Sequence, residues 1–301
     1  MFQLFKETHI KFMGARKYAY LCSAILVVAT IVVLVARGGP RLAVDFTGGT
    51  VIEAVLTPKE PADRVRSALD KAGIRQAEIQ SVGTEGEYLF RFQQTGAKED
   101  MFTLIKEAIQ KEMPGTQVEL RRADAVGPKI GKELRSKSIW AVLFALGGIL
   151  VYVGLRYEFI FAVGAVISLF HDVLITLGVM TFLGREFTLT VLAALLTIAG
   201  YSINDTIVVF DRIREQSRLL RRESLKDVID LSVNQTLSRT VLTSFTVILT
   251  VLALLVLGGE VIRDFALCMF IGVFFGTYSS TYVASALALD IHGPEAKAMR
   301  R

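Results

Sequence analysis

Six apolar runs, each close to the roughly 20 residues that a helix needs to cross a bilayer, recur along this 301-residue chain between short charged stretches. They leave one fold class open, a multi-span α-helical membrane protein. Hydrophobic residues make up 52% of the chain against 21% charged, and the mean hydropathy is +0.48, so a wholly soluble reading fails. The net charge of +5 is spread over the loops and argues for topology, with no nucleic-acid partner expected. Cys22 and Cys268 both fall in apolar runs and offer neither a disulfide framework nor a zinc site.

The first run, Tyr18 to Ala36, follows Lys6, Lys11, Arg16 and Lys17, with Glu7 as the lone acid among them. That bias anchors the N-terminus in the cytosol, and the run exceeds a signal-peptide core, so 1–37 reads as a cytosolic N-terminus and an uncleaved first span. From 38 to 137 the periodicity becomes that of a globular domain on the far side of the membrane. Val44-Asp45-Phe46 and Val51 to Leu56 read as strands, Pro61 to Ala72 as a helix, Ala77 to Val82 and Tyr88 to Phe92 as strands, Lys98 to Met113 as a helix and Gln117 to Arg122 as a last strand. The order β-α-β-β-α-β predicts an α+β ferredoxin-like extracytoplasmic domain between membrane helices 1 and 2. Asp45-Phe46-Thr47-Gly48-Gly49-Thr50 reads as a tight turn or bulge and lacks the spacing of a phosphate loop; Gly127 to Gly131 reads as a structured linker back to the membrane.

Residues 138–289 carry spans two to six. The second runs from about Ser138 to Leu155 and the third from Phe159 to about Leu183, with His171 and Asp172 at its middle and Ser168 on the face of Asp172. Two adjacent ionisable groups there are costly in lipid and should face the bundle or a wet cavity, as a proton relay or gate or as a structural hydrogen-bonded pair. With His9 and His292 in the cytosolic ends, no metal site is expected.

The fourth span begins near Thr188 and contains Gly200 to Glu215, GYSINDTIVVFDRIRE. Its charged end marks the cytosolic exit, and Asp205 lies six residues before Asp211, ~9 Å inside that boundary at helical rise. Helical spacing puts Tyr201, Asn204, Asp205 and Val208 on one stripe that should look at other helices, with Asn204 as an interhelical hydrogen-bonding group. Asp205 reads either as part of a pathway or as a helix-end acid paired with a basic residue.

Residues 211–238 are expected to form an amphipathic cytosolic or interfacial helix whose arginines suit the headgroups of membrane lipids. In the fifth span Arg239, Thr243, Thr246 and Thr250 make a polar stripe, and antiparallel geometry brings Arg239 to the depth of Asp205 as a candidate ion-pair partner; snorkelling to the headgroups is the other reading of Arg239. After an outer loop, 257–264, the sixth span carries Gly272, Gly276, Ser280 and Ala284 at every fourth position, a helix-packing pattern. Residues 290–301 form a basic tail, so both termini are expected in the cytosol.

These elements resemble the SecF branch of the SecD/SecF family of bacterial protein export, within the resistance-nodulation-division superfamily. Gly200 to Glu215 meets the pattern GYSxNDTxVxFDRxRE; Asp45, Phe46, Gly48 and Gly49 meet DFxGG; Gly127 to Leu134 meets GPxxGxEL; His171 and Asp172 meet the His-Asp pair. The resemblance implies a multi-pass protein of the bacterial inner membrane without cofactor or enzymatic site, acting with SecD near SecYEG on preproteins, with YajC and YidC as further candidate partners. It also implies that Asp205 and Arg239 take part in using the proton-motive force. A proton-coupled exporter of small molecules or lipids and a purely structural assembly factor are the alternatives from other classes; an intramembrane hydrolase lacks a spaced catalytic set.

Overall fold

The computed structural model describes residues 8–74, 77–82, 86–92, 98–157 and 159–293. In order, the chain forms a 3-10 turn Phe12–Gly14, then α1 (Arg16–Ala36), β1 (Arg41–Leu42), α2 (Val44–Thr47), β2 (Gly49–Thr57), α3 (Ala62–Lys71), β3 (Glu78–Val82), β4 (Glu87–Phe92), α4 (Lys98–Glu112) and β5 (Gln117–Val126). The chain continues with α5 (Pro128–Arg156), α6 (Phe159–Phe182), β6 (Glu186–Phe187), α7 (Leu189–Leu219), α8 (Leu225–Leu257), α9 (Gly259–Ser279), a π-helical turn Ser280–Ala284 and α10 (Ser285–His292). Two compact units result, Leu42–Ile139 and the remainder.

In the smaller unit β2 pairs antiparallel with both β4 and β5, and β3 pairs antiparallel with β4, giving the order β3-β4-β2-β5. Alternation along β2 buries Ile52, Ala54 and Leu56 on one face, where Val65, Ala68 and Leu69 of α3 and Ile105 and Ile109 of α4 cover them.

Val44-Asp45-Phe46 is not a strand as the sequence pattern suggests. These residues make a single helical turn, closed by the Gly48 amide on the Val44 carbonyl at 2.9 Å. The turn exists because Gly48 and Gly49 take φ of +74° and +126°, and because the chain is tucked against the start of α5. A Cβ on Gly48 would lie 2.8 Å from the Pro128 Cα, and one on Gly131 would lie 2.8 Å from the Gly48 amide nitrogen. The expected linker over Gly127 to Gly131 is likewise corrected: Pro128 opens a continuous helix, as a proline at the first helical position can, and α5 runs unbroken to Arg156.

Among the described residues six helices are long and apolar enough to cross a membrane: α1, α5, α6, α7, α8 and the continuous helix Ile262–His292. α6, α7 and that last helix supply most of the interior, while α1, α5 and α8 turn much of their apolar surface outward, as Val35, Phe144, Leu155 and Val256 show. The segment 211–238 does not form a separate amphipathic helix. α7 continues to Leu219, a turn comes next, and Ser224 caps α8 by accepting from the Asp227 amide at 3.2 Å. Leu225, Val228 and Ile229 are thereby buried, Leu225 and Ile229 in a cluster with Phe12 and Met13. The outer loop expected at 257–264 shrinks to the junction of α8 and α9, where Gly259 takes a φ of +69°.

Candidate functional site

Two apolar clusters fill the helical unit. One gathers Met180, Val191, Leu195, Ile198, Val251 and Met269; the other gathers Phe12, Phe161, Phe210, Ile213, Ile229 and Leu289. Between them in sequence, on α6, α7, α8 and α9, lie buried polar residues: Ser168, His171, Asp172 and Thr176 on α6, Ser202, Asp205 and Thr206 on α7, Thr240 and Ser244 on α8, and Ser279 at the end of α9. Each apolar cluster draws on α6, α7 and α8, so the layer is sandwiched between them. Polar side chains in such surroundings must find partners or carry an unpaired atom at a cost.

Asp172, fully buried at 0% exposure, is satisfied from three directions. Ser202 of α7 donates to Oδ2 at 2.7 Å, Ser279 of α9 donates to the same oxygen at 2.6 Å, and His171 Nδ1 lies 3.0 Å from Oδ1. A hydrogen on Nδ1 makes that contact a hydrogen bond and leaves Nε2 free for another. Nε2 is buried with no hydrogen-bond partner among the described residues, as is the Ser168 hydroxyl one turn earlier. The His171 ring lies against Tyr278, with centroids 6.3 Å apart, and the Tyr278 hydroxyl donates to the Ala19 carbonyl of α1 at 2.8 Å.

Close packing brings these groups together. A Cβ on Gly276 would lie 3.3 Å from Ser202 Cβ and 3.7 Å from Asp172 Oδ2, and one on Gly272 would lie 2.2 Å from Ile198 Cδ1. Both glycines let α9 press against α7. On the other side of α7, Tyr201 donates to Ser244 of α8 at 3.1 Å, and Ser244 shares a hydrogen bond of 2.7 Å with Thr277 of α9.

Asp205 differs from Asp172. It is only 3% exposed, yet Oδ2 has no hydrogen-bond partner among the described residues, and the same holds for the Thr240 hydroxyl on α8. Among the described residues no ion pair within 4 Å joins Asp205 to Arg239; Arg239 acts on it only through space, from the exposed side of α8. The direct pairing expected from antiparallel depth is therefore not formed, because the two side chains leave their helices toward different surroundings. Asn204 is also corrected: it is exposed and makes no interhelical hydrogen bond among the described residues. Helical spacing places Asn204 and Asp205 about 100° apart, enough to put one outside and one inside. Thr243, Thr246 and Thr250 bond carbonyls of their own helix at 3.0, 2.8 and 3.0 Å, with Thr246 and Thr250 on the exposed surface beyond Arg239.

Ser279, Ser244 and Thr277 receive no role from the sequence pattern. Ser202 sits inside the GYSINDT motif without a spacing that reveals its partner, and Ser279 stands one turn after Gly276, where the pattern speaks only of packing.

Of the motif residues in the smaller unit, Asp45 is half-buried in α2, Gly48 and Gly49 form the turn into β2, and Gly127 precedes Pro128. They belong to the smaller unit and take no part in the buried polar layer.

The chain matches the family described as protein export membrane protein SecD/SecF, C-terminal, over residues 105–293. It is 44% identical to the protein translocase subunit SecF of Vibrio alginolyticus, over 97% of this chain and 93% of the relative, and 42% identical to that of Calditerrivibrio nitroreducens, over 93% of each. The crystal structure of SecDF, a translocon-associated membrane protein from Thermus thermophilus, superposes with a TM-score of 0.85 at 41% identity. That match covers 95% of this chain but spans only 39% of the SecDF chain. The six apolar helices, the motif-bearing α7 and these matches together establish that the chain belongs to the SecD/SecF family of protein export membrane proteins, on its SecF side.

Proposed function

We propose that this chain is the SecF-type subunit of a bacterial protein translocase, a multi-pass inner-membrane protein with cytosolic termini that works with SecD near the translocon. It promotes late steps of preprotein export at the expense of the proton-motive force. The pairing with SecD is supported by the likeness to a chain described as SecDF, of which the match spans 39%. The exposed polar stripe of Arg239, Thr246 and Thr250, with Asn204 exposed on α7, gives a helical surface suited to such a partner. The order β3-β4-β2-β5 with two helices on one face supports a ferredoxin-like reading of the smaller unit, which would lie outside the cytosol. YajC, YidC and anionic lipids are further proposed contacts of the assembled complex.

The observation that carries the reading is Asp205: a buried carboxylate in the family motif with an oxygen that no neighbour among the described residues satisfies. Binding a proton gives that oxygen a hydroxyl and removes the through-space attraction of Arg239, so the packing of α7 against α8 can change with occupancy. A charge crossing the membrane potential is worth ~2.3 kcal/mol per 100 mV, enough for a few protons to drive such a change without nucleotide. His171 and Asp172 act in this reading as gating groups. Export by an Asp205→Asn variant, with and without a proton gradient, tests the proposal.

A further inference from the structure

The helix Ile262–His292 is continuous but irregular, since Ser280–Ala284 forms a π-helical turn. A π turn holds one residue more than an α turn, is intrinsically unfavourable, and persists where neighbours favour it. Three neighbours do so here. Ser279, the last residue before the turn, donates to Asp172 at 2.6 Å. Ser285, the first after it, donates to the Ser280 carbonyl at 3.0 Å, satisfying an acceptor at the widened turn. Gly164 of α6 admits the turn closely, since a Cβ there would lie 3.2 Å from the Ala284 carbonyl oxygen.

The turn itself and the helix beyond it are tied to the N-terminal segment. Tyr282, within the turn, packs edge-on against Phe12 with centroids 5.7 Å apart. Asp290 of α10 accepts from Arg16 Nε and from the Tyr20 hydroxyl, both at 3.0 Å, and Arg16 also donates to the Met13 carbonyl at 3.1 Å. The register of the π turn therefore decides whether Tyr282 and Asp290 meet their partners on the 3-10 turn and α1.

We infer that Ser279 is a positioning residue whose hydrogen bond to Asp172 holds the π register, and that the turn transmits a change at that buried carboxylate to the N-terminal segment. Loss of the bond lets 280–284 relax toward α-helix. Absorbing the surplus residue rotates α10 by about 100°, which withdraws Asp290 from Arg16 and Tyr20 and Tyr282 from Phe12. The link is a property of the bundle itself and stands or falls separately from proton-driven export.

The test is amide hydrogen exchange on the full chain, purified with its partner subunit in lipid nanodiscs, without any gradient. Ser279→Ala should speed exchange in peptides covering 280–292 and 8–20 by roughly tenfold, the scale set by losing a hydrogen bond to a carboxylate, and leave peptides from the first turns of α7 at parental rates. Ser202→Ala removes the other hydroxyl from the same oxygen without touching the turn, and should leave 280–292 and 8–20 at parental rates. Deleting Thr281 removes the surplus residue and lets the turn become α-helical with α10 in its original phase, so adding the deletion to Ser279→Ala should return exchange at 8–20 toward the parental rate. Parental rates in Ser279→Ala, equal acceleration in Ser202→Ala, or exchange at 8–20 as fast with the added deletion as in Ser279→Ala alone would each overturn the inference.

Discussion

The hydroxyl of Ser202 on α7 donates to the carboxylate of Asp172 on α6 at 2.7 Å, while Asp205, one turn further along α7, keeps a buried oxygen without a partner among the described residues. One helix thus carries a group that completes the shell of one acid and an acid whose own shell is incomplete. Full satisfaction makes Asp172 a fixed joint between α6, α7 and α9. Incomplete satisfaction leaves Asp205 with an oxygen that an added proton or a partner side chain could engage.

The joint at Asp172 has a measurable strength. Asp172→Ala strands the buried Ser202 hydroxyl and leaves Ser279 only its bond to the Gly276 carbonyl at 3.1 Å, and should lower stability by about 2–3 kcal/mol, as removing a buried acceptor does. Asp172→Asn keeps an acceptor oxygen and should cost clearly less. Denaturant titration in mixed micelles orders the two variants, and equal losses would show that the hydroxyl bonds contribute little.

Gly272 reports on the α7–α9 contact. Alanine there places Cβ 2.2 Å from Ile198 Cδ1, so Gly272→Ala should destabilise the bundle by about 1–3 kcal/mol, the usual cost of overpacking. Ile198→Val in the same chain should recover part of that loss. A double-mutant cycle checks it, and strict additivity would place the strain elsewhere.

The glycine contact of the smaller unit makes a parallel prediction. Gly131→Ala meets the Gly48 backbone at 2.8 Å, where neither side can move as a flexible side chain would, and Gly48→Ala adds a strained positive φ. Each should cost about 1–3 kcal/mol and increase proteolysis within 42–139. Gly115→Ala, at φ +103° but in open space, should cost less than Gly48→Ala.

The spans were largely legible because hydropathy and length decide them, and the buried position of Asp205 followed from its place short of the charged exit. Side-chain partners were less so. Periodicity placed Asn204 on the same stripe as Asp205, but a step of about 100° separates interior from surface, and no spacing rule locates that boundary. The Asp205–Arg239 pairing failed because equal depth does not fix direction. The helix beginning at Pro128 was hidden by a glycine-proline signal that serves equally to end a loop or to start a helix. Asp172 and Ser279 stand 107 positions apart, and only tertiary packing brings their side chains together.

The N-terminal segment is pinned by Met13 donating to Asp230 at 2.7 Å and by paired hydrogen bonds of 2.9 and 2.8 Å between Ile10 and Asn234. Asp230→Ala with Asn234→Ala should release residues 8–14 to protease at a cost of roughly 1 kcal/mol per bond, leaving the six helices formed. Unchanged protection would mean that burial of Phe12 and Met13 alone holds the segment.

The most direct measurement of proton coupling is preprotein export in inverted membrane vesicles carrying SecD and either this chain or its Asp205→Asn variant, with and without a proton gradient. Asparagine preserves size and polarity while removing the titratable group. The account predicts that the complex assembles equally in both cases and that the gradient-dependent late step disappears in the variant. Gradient-stimulated export at the parental rate in an assembled Asp205→Asn complex would contradict it.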